Sequence, residues 1–435
     1  MSSTLLVGVG RTDITPPIGA WLMGYTPARR AESIGDHLNF TAYAFESDGV
    51  RSIVATADVC LMRDPLASEV RQAMAKASGV PFENIILSTT HTHSGPILHD
   101  SIGGVTPDPD YMENTLFAGA AKACVDAVAT LRPALMGIGE IHSDVGINRR
   151  QMLQDGTIIL GQDPHGTYDP IMTVVSFREP DGKPIGNIIH YGAHNTGSGK
   201  NPEITRDWCG VAIDRLEAES GGITSFFNGC EGDCGPRLAN GKTTGNYQLA
   251  LELGGRAAID AVNAWRSIKE WRADLPMKVI TGTIEMPLKK LPAPETLEKE
   301  IEALGDPSQL QGLNLTSYNR LNERLEYIRT TEEIPTTETI QTTAISVGPL
   351  AFFPIPFEIF SRITLRIREF SPYPYTLSLS NGNGSLFYFP SMDQLCRGGY
   401  EVWLFTSFKI HPFADTAEQY YVDGAVKILR DLNDK

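Results

Sequence analysis

Residues 87–96 read Leu-Ser-Thr-Thr-His-Thr-His-Ser-Gly-Pro, and this stretch decides how the fold around it is interpreted. It follows Asn84-Ile85-Ile86, so an apolar run ends in small polar residues, which is typical of a buried strand reaching the rim of a sheet. Gly95-Pro96 then ends the strand. Side chains two positions apart on a strand point to the same face, so His91 and His93 are expected to project together where the strand opens into a loop. A pair of imidazoles in that place predicts a metal site.

The segments around this stretch predict an α/β fold. Strand-like runs at residues 39–46 and 51–60 are joined by a Ser-Asp-Gly turn, and residues 66–77 have helical spacing before the strand at 85–87. This β-α-β order favours layered mixed β-sheets flanked by helices, with the metal site at strand ends. We expect one domain over residues 1–435, interrupted at about 293–336 by a charged helical excursion whose charges form a solvated face.

Composition excludes several classes of function. The chain has 435 residues, is 41% hydrophobic and carries a formal net charge of −15, which describes a globular protein without a basic surface for nucleic acid or anionic membranes. It contains no apolar run long enough to span a bilayer, and its first residues lack the basic region of an export signal. A cytoplasmic location with reduced cysteines is therefore expected.

Three of the nine histidines stand in similar settings. His91, His93 and His194 each lie close to a glycine at a predicted junction of strand and loop, where α/β proteins place ligands and reacting groups. A single histidine of this kind is more often a hydrogen-bonded structural residue. The residues alone leave both interpretations open, since zinc needs roughly three protein ligands and a position for water.

Six motifs, taken in order, resemble the signatures of the neutral/alkaline non-lysosomal ceramidase family. The resemblance covers about residues 7–402, and its motifs are Gly8-Val9-Gly10-Arg11-Thr12-Asp13-Ile14-Thr15-Pro16, Met23-Gly24-Tyr25, Thr90-His91-Thr92-His93-Ser94-Gly95-Pro96, Ile147-Asn148-Arg149, Gly232-Asp233 and Gly398-Gly399-Tyr400-Glu401-Val402. Members of that family are zinc amidohydrolases that cleave the N-acyl bond of ceramide. The resemblance therefore implies one Zn²⁺ ion and a hydrolysed amide.

The resemblance also implies roles for individual residues. The four zinc ligands of the family fall on His91, His194, Glu358 and Tyr388. The histidine that faces the reacting carbonyl falls on His93, the second active-site tyrosine on Tyr400, and the substrate-contacting arginine on Arg149. Without the resemblance, Tyr388 could be a core aromatic and Arg149 a surface charge.

Four further residues are candidates around this site. Asn148 and Arg237 are predicted to bind substrate beside Arg149. Asp207 is expected either to support His194 through a hydrogen bond or to cap a helix, and Asp233 is expected to support the metal ligands.

One departure from the family affects the mechanism. The family places a serine, proposed as nucleophile, where this chain has Gly235, and the neighbouring Cys234 is one residue out of register. We interpret Cys230 and Cys234 as small buried residues, because no second cysteine pair accompanies them. The expected nucleophile is then a metal-activated water, with His93 and Tyr400 donating hydrogen bonds to the developing oxyanion.

These features together predict a zinc-dependent hydrolase that cleaves a C–N bond in a small N-acyl or cyclic amide. Ceramide itself is not expected as the substrate, since the chain ends soon after the Gly-Gly-Tyr motif and shows no export signal. Arg149 and Arg237 would suit a substrate carrying a carboxylate. Two alternatives stay open, an esterase or lactonase using the same activated water and a metal-binding protein that has lost catalysis. Self-association into a homo-oligomer is also left open.

Overall fold

The computed structural model describes residues 4–100 and 105–435, which form three main β-sheets in succession, flanked by helices and accompanied by smaller sheets. The layered mixed-sheet prediction is confirmed. Among the described residues, none of the helices combines the length and the apolar character that crossing a bilayer requires.

The first sheet carries the histidine motif at its edge. Its strand order is β7-β6-β5-β1-β8, with β6 and β7 parallel. The strands of this segment are β1 (Leu6–Asp13), β2 (Trp21–Leu22), β3 (Arg29–Arg30), β4 (Ser33–Ile34), β5 (Asn39–Ser47), β6 (Val50–Ala57), β7 (Ile85–Thr89) and β8 (Arg132–Pro133). The helices are α1 (Leu66–Ser78), α2 (Pro109–Tyr111) and α3 (Ala118–Ala129), with a 3-10 turn at Phe82–Asn84 and a π-helical turn at Met112–Phe117.

Helix α3 lies directly on β1 because two glycines allow a close approach. A Cβ atom at Gly8 would meet the Ala127 carbonyl at 2.0 Å, and one at Gly10 would meet the Ala123 carbonyl at 2.1 Å. The alanine-rich face of α3 therefore packs against this sheet together with α1.

The second segment supplies the strand that precedes His194. Its main sheet has the order β15-β13-β12-β9, with β13 and β15 parallel, and a smaller sheet has the order β11-β10-β16. The strands are β9 (Leu135–His142), β10 (Gly146–Met152), β11 (Ile158–Asp163), β12 (Ile171–Arg178), β13 (Pro184–Tyr191), β14 (Glu203–Ile204), β15 (Ile223–Asn228) and β16 (Cys234–Pro236). Helices α4 (Trp208–Ser220) and α5 (Tyr247–Arg266) pack on the main sheet.

The third segment supplies Glu358 and both tyrosines. Its sheet has the order β17-β18-β19-β21, and a two-stranded parallel ribbon joins β20 to β22. The strands are β17 (Met277–Pro287), β18 (Thr337–Val347), β19 (Leu350–Ile355), β20 (Glu358–Ile359), β21 (Tyr375–Ser380) and β22 (Tyr388–Phe389). The helices are α6 (Pro294–Leu304), α7 (Gly312–Thr330), α8 (Ser361–Phe370), α9 (Met392–Leu395), α10 (Tyr400–Ser407) and α11 (Ala417–Asp434), with a 3-10 turn at Pro307–Gln309.

One hydrophobic cluster draws side chains from all three sheets. The ring of Phe45 lies 5.4 Å from Phe177 of the second sheet and 6.0 Å from Phe352 of the third, centroid to centroid. The shared cluster brings the three sheets together, so that loops far apart in sequence can meet at one site.

Helices α6 and α7 lie between β17 and β18, in the charged segment. Their charges are not all solvated, because Arg324 of α7 is buried and donates from Nε to the Ile410 carbonyl (2.8 Å) and from Nη2 to the Lys409 carbonyl (2.9 Å). Arg324 thereby attaches α7 to the segment that follows α10.

Candidate metal centre

Main-chain pairing brings together the four residues proposed as metal ligands. Strands β20 and β22 are parallel and in register with Glu358 beside Tyr388. The segments that follow β7 and β13 are joined by a parallel bridge between Thr92 and Asn195, directly after His91 and His194. Two short pairings, each at the end of a larger sheet, therefore set the positions of all four side chains.

The strand geometry expected for the two histidines of the first motif is wrong. Strand β7 ends at Thr89, and His91 has a positive φ of 62°, so the chain turns at His91. The backbone N–H of His91 donates to the Val59 carbonyl (3.0 Å), which holds this turn in place. The Nε2 atoms of the two imidazoles still lie 3.2 Å apart. The turn at His91 brings the rings together, and not the alternation of side chains along a strand.

The donor atoms are spaced as ligands of one metal ion would be. Nε2 of His194 lies 3.1 Å from Oε2 of Glu358 and 3.1 Å from the Tyr388 hydroxyl, and Nε2 of His91 lies 3.5 Å from the same Oε2. Zinc bonds of about 2.1 Å in a tetrahedral arrangement separate ligand atoms by about 3.4 Å. His91, His194 and Glu358 accordingly form a buried group of candidate metal ligands.

Hydrogen bonds to main-chain carbonyls orient both imidazoles. Nδ1 of His91 donates to the Cys60 carbonyl (2.8 Å), and Nδ1 of His194 donates to the Glu231 carbonyl (2.6 Å). With the proton assigned to Nδ1, each Nε2 keeps its lone pair and faces Glu358. This arrangement is typical of metal-binding histidines.

The electrostatics of the group suit a cation. Burial alone would raise the pKa of Glu358, but His91 and His194 lower it to about 2. Burial, together with the Arg149 charge, lowers the pKa of His194 to about 3. At neutral pH the group therefore presents a carboxylate and neutral imidazoles, which are the protonation states that bind a divalent metal.

His93 lies beside this group and has a second neighbour, Cys60. Cys60, His91 and His93 form another group of candidate ligands, which shares His91 with the first. The His93 ring also packs edge-on against Tyr25, 5.2 Å between centroids. A Cβ at Gly24 would come within 2.4 Å of the His93 ring, so this position of the Met-Gly-Tyr motif requires glycine.

Arg149 is buried, which contradicts the interpretation as a surface charge. Its Nε donates to Glu401 (2.8 Å), and Nη1 of Arg150 donates to the other oxygen of the same carboxylate (2.6 Å). The guanidinium carbon of Arg149 lies 5.2 Å from the centre of the Tyr388 ring. Glu401 thus fixes both arginines to the start of α10, next to Tyr400, whose ring is 5.8 Å from that of Tyr388.

Asn148 and Asp233 belong to a hydrogen-bonded support between sheets. Nδ2 of Asn148 donates to the Thr167 carbonyl (2.6 Å) and lies 3.5 Å from Asp233. Asp233 accepts from the backbone N–H (2.8 Å) and the hydroxyl (2.7 Å) of Ser361, three residues after Glu358. Asp233 therefore ties the β16 segment to the segment that carries Glu358.

Asp207 caps helix α4. Its carboxylate accepts from the backbone N–H groups of Trp208 (2.7 Å), Gly197 (2.9 Å) and Ser198 (2.7 Å). Trp208 in turn donates from Nε1 to the His194 carbonyl (3.0 Å). Of the two expectations for Asp207, the helix cap describes its contacts, and its influence on His194 passes through the backbone.

Arg237 makes its contacts with a different set of residues. Its Nη2 lies 3.3 Å from the Tyr168 hydroxyl and 3.9 Å from the Asp144 carboxylate. The role of Arg237 in substrate binding stays a prediction.

Gly235 has no room for the serine of the family pattern. A Cβ there would lie 2.6 Å from Cβ of Thr243. Cys234 is fully buried, and burial raises the pKa of its thiol well above the ordinary value. The thiol is therefore protonated at neutral pH and poorly suited to act as a nucleophile.

Several residues of the site were not identified from sequence. Cys60, Glu231, Asn381 and Glu401 are examples, and Nδ2 of Asn381 donates to Oε1 of Glu231 (2.7 Å) beside His91. Burial raises the pKa of Glu231 well above its usual range. Glu401 lies within the Gly-Gly-Tyr-Glu-Val motif and Glu231 directly precedes the Gly-Asp pair, so their place in or beside these motifs was the available signal.

Comparisons with known proteins agree with this geometry. Residues 5–248, more than half of the chain, match the family model described as neutral/alkaline non-lysosomal ceramidase, N-terminal. Neutral ceramidase A of Dictyostelium discoideum is 29% identical over 263 residues, which are 54% of this chain and 36% of that protein. Neutral ceramidase of Pseudomonas aeruginosa is 28% identical over 251 residues, 53% of this chain and 37% of that protein.

The crystal structure of neutral ceramidase from Pseudomonas aeruginosa has the same fold. It superposes with a TM-score of 0.74 over 99% of this chain and 75% of that chain, at 20% sequence identity. The matched part of this chain spans little more than a third of the length of these two curated relatives, at 36% and 37%.

Proposed function

Because the chain belongs to the neutral/alkaline non-lysosomal ceramidase family, we propose that it is a metal-dependent hydrolase that cleaves the C–N bond of an amide. The observation that carries this proposal is the buried group of His91, His194 and Glu358, whose ligand atoms all lie within 4.8 Å of one another. Tyr388 adds a fourth donor, 3.1 Å from His194.

Zn²⁺ is the proposed metal. Two imidazoles and a carboxylate form a common donor set of catalytic zinc, which keeps one position for water. A bound zinc ion supplies a water of lowered pKa and polarises the scissile carbonyl. The residues fit this ion, because Nε2 of His91 and Nε2 of His194 each keep a lone pair for the metal and Glu358 is ionised.

The remaining side chains suit the stabilisation of an oxyanion. His93 is held neutral, because burial and its cationic surroundings lower its pKa well below the ordinary value, and it lies 3.2 Å from His91. Burial and nearby Glu358 raise the pKa of Tyr400 to about 12, so its hydroxyl keeps the proton that it would donate. In this proposal both residues hydrogen-bond the oxygen on which charge develops, an interaction typically worth a few kcal/mol.

Arg149 has a positioning role in this proposal and also a free donor. Its Nε is occupied by Glu401, whereas its buried Nη2 has no acceptor among residues 4–100 and 105–435. A substrate oxygen would satisfy it, since a buried charged donor is costly to leave unpaired.

The proposed substrate is a small N-acyl or cyclic amide. Gly235 has no side chain and the Cys234 thiol is protonated, so neither can act as the nucleophile and the activated water takes that role. The same water could attack an ester or a lactone. A cytoplasmic location, the single domain and a homo-oligomer stay predictions.

Metal analysis tests the proposal. We expect purified protein to carry about one zinc per chain by mass spectrometry, and we expect His194→Ala to lose both the metal and the hydrolysis of an amide panel. His190→Ala is the matched control, since His190 is a buried histidine of β13, the strand before His194, and donates to the Ser378 carbonyl (2.9 Å), so this variant should keep the metal. Equal metal content in both variants would refute the proposal.

A further inference from the structure

Arg63 is a cation near the metal centre that the proposed mechanism does not use. It follows Cys60 by three residues, and the Cys60 carbonyl accepts from His91 at 2.8 Å. Its Nε is buried without an acceptor among the described residues, and no described carboxylate lies within 4.0 Å of its guanidinium. A buried N–H donor without an acceptor is costly, so an acceptor beyond those that the described residues supply would stabilise Arg63.

A second arginine approaches the same place from the helical excursion. The guanidinium carbon of Arg63 lies 5.3 Å from the centre of the Phe408 ring, and that of Arg320 on α7 lies 4.8 Å from the same centre. Arg320 has Glu323 as an ion-pair partner on its own helix, so Arg63 is the cation without one. The aromatic face partly stabilises each cation but leaves two like charges close together.

Among the described residues, Arg63 has no ion-pair partner, and Glu358 is the carboxylate that acts on its charge. Burial lowers the pKa of Arg63, Glu358 and Cys60 raise it, and Arg320 lowers it further. Burial and Arg63 lower the pKa of His99 to about 4, so this neighbour is neutral.

The positions of these residues match the length of a small substrate. Tyr400 begins α10 beside Tyr388, and Phe408 follows its last residue, about 12 Å further along the helix. A molecule whose amide lies between His93 and Tyr400 would have to be about 12 Å long to reach Phe408 and Arg63 with its other end.

We propose that Arg63, with Arg320 and Phe408, forms a subsite that binds an oxyanion of the substrate, so that the hydrolysed amide belongs to an acidic molecule. The inference rests on the proposed amide hydrolysis and names its substrate class. Arg149 and Arg237, predicted to bind such a group, each lie within 4.0 Å of a carboxylate, Glu401 and Asp144, whereas Arg63 has none within that distance in the described part of the chain. The Nη2 of Arg149, which has no acceptor among the described residues, is left for another oxygen of the substrate. A guanidinium binds carboxylates and sulfonates alike through paired N–H donors.

A matched set of amides tests the subsite in the metal-loaded protein. The set is three N-methylamides of a ten-carbon acyl chain whose far end carries a carboxylate, a sulfonate or a neutral methyl group, and the quantity is the ratio of kcat/KM for an acidic amide to that for the neutral one. We expect a ratio of tenfold or more in the wild type and less than threefold in Arg63→Gln, with Arg63→Lys between them. Preference for the carboxylate or for the sulfonate identifies the oxyanion that the subsite binds.

Two further variants control for misfolding and for the general loss of a positive charge. Arg320→Gln changes a side chain that is 31% exposed and should fold even if Arg63→Gln does not; it is expected to lower the ratio about threefold. Arg272→Gln removes an exposed arginine elsewhere and should keep the wild-type ratio.

If none of the three amides is hydrolysed, calorimetric dissociation constants of the same set replace kcat/KM. A wild-type ratio near one, an unchanged ratio in both Arg63→Gln and Arg320→Gln, or binding of none of the three would each overturn the subsite. Metal-dependent hydrolysis of any other amide would still support the proposed function, so the two failures are distinguishable.

Discussion

Glu401 is the residue on which the arginine side of the site depends. Its buried carboxylate accepts from Nε of Arg149 at 2.8 Å and from Nη1 of Arg150 at 2.6 Å, so the two cations share one negative charge. Removing one partner from a buried ion pair leaves an uncompensated charge, which typically costs about 3–5 kcal/mol. The position of Arg149 under the Tyr388 ring is therefore set by a residue that does not itself face the metal ligands.

The first prediction concerns this residue. Glu401→Gln is expected to lower the free energy of unfolding by about 3 kcal/mol, because two buried guanidiniums lose their shared carboxylate. Urea denaturation measures the change. The control is Glu270→Gln, which breaks an exposed pair with Arg272 and should leave the midpoint unaltered. Equal midpoints for the two variants would contradict the structural role given to Glu401.

A second prediction concerns Gly235. Gly235→Ser should fail to create a serine nucleophile and should destabilise the protein by about 1–3 kcal/mol, because the new Cβ would lie 2.6 Å from that of Thr243. Adding Thr243→Gly, which removes that Cβ, should recover part of this loss. Thermal unfolding of the single and double variants checks both statements, and a stable Gly235→Ser with higher amidase activity would refute them.

Among the secondary-structure elements, the site depends on very short strands that follow the longer strands of the sheets. Strands β20 and β22 have two residues each, and they alone bring Glu358 beside Tyr388. Helix α7 has a similar dependence, since Arg324 attaches it to the carbonyls of Ile410 and Lys409.

The attachment of α7 gives the third prediction. Arg324→Gln should release α7 from the segment after α10 and speed hydrogen exchange at Gly312–Thr330 by roughly tenfold or more, because the helix keeps few other buried polar contacts. Mass spectrometry of exchange would show this, with the metal content unchanged. Wild-type protection of these amides in the variant would contradict it.

These elements also show what a sequence can predict. The strand ends that carry His91 and His194, and the charged segment that forms α6 and α7, follow from apolar runs, turn residues and charge. The turn at His91 was missed, because a positive φ in a non-glycine residue has no clear sequence signal. The pairing of Arg149 with Glu401, 252 residues apart, was missed because tertiary packing and not local pattern determines it.

At the scale of the whole molecule, buried acids make the stability depend on pH. Burial raises the pKa of Asp58 to about 6 against the partial compensation of Arg206, and Asp58 accepts from the backbone N–H of Asn39 (2.8 Å). The folded protein then binds a proton at this site that the unfolded chain has already released between about pH 4 and 6. Stability from this group falls as the pH rises through that interval.

The fourth prediction follows from this decrease of stability with rising pH. Asp58→Asn should remove this loss and stabilise the protein at pH 7 by about 3 kcal/mol relative to wild type, with little difference at pH 4. The asparagine side-chain oxygen can still accept from Asn39. Denaturation curves of both proteins from pH 4 to pH 8 measure the difference, and a constant difference across this range would contradict the assignment.

The central claim is that one metal ion lies among His91, His194, Glu358 and Tyr388. Anomalous diffraction at the zinc edge from crystals of the purified protein tests it most directly. We expect a single strong peak about 2.0–2.2 Å from Nε2 of His91, Nε2 of His194 and a Glu358 oxygen, with the Tyr388 hydroxyl facing it. A peak bound by Cys60 and His93 without Glu358, or no peak in this group of residues, would contradict it.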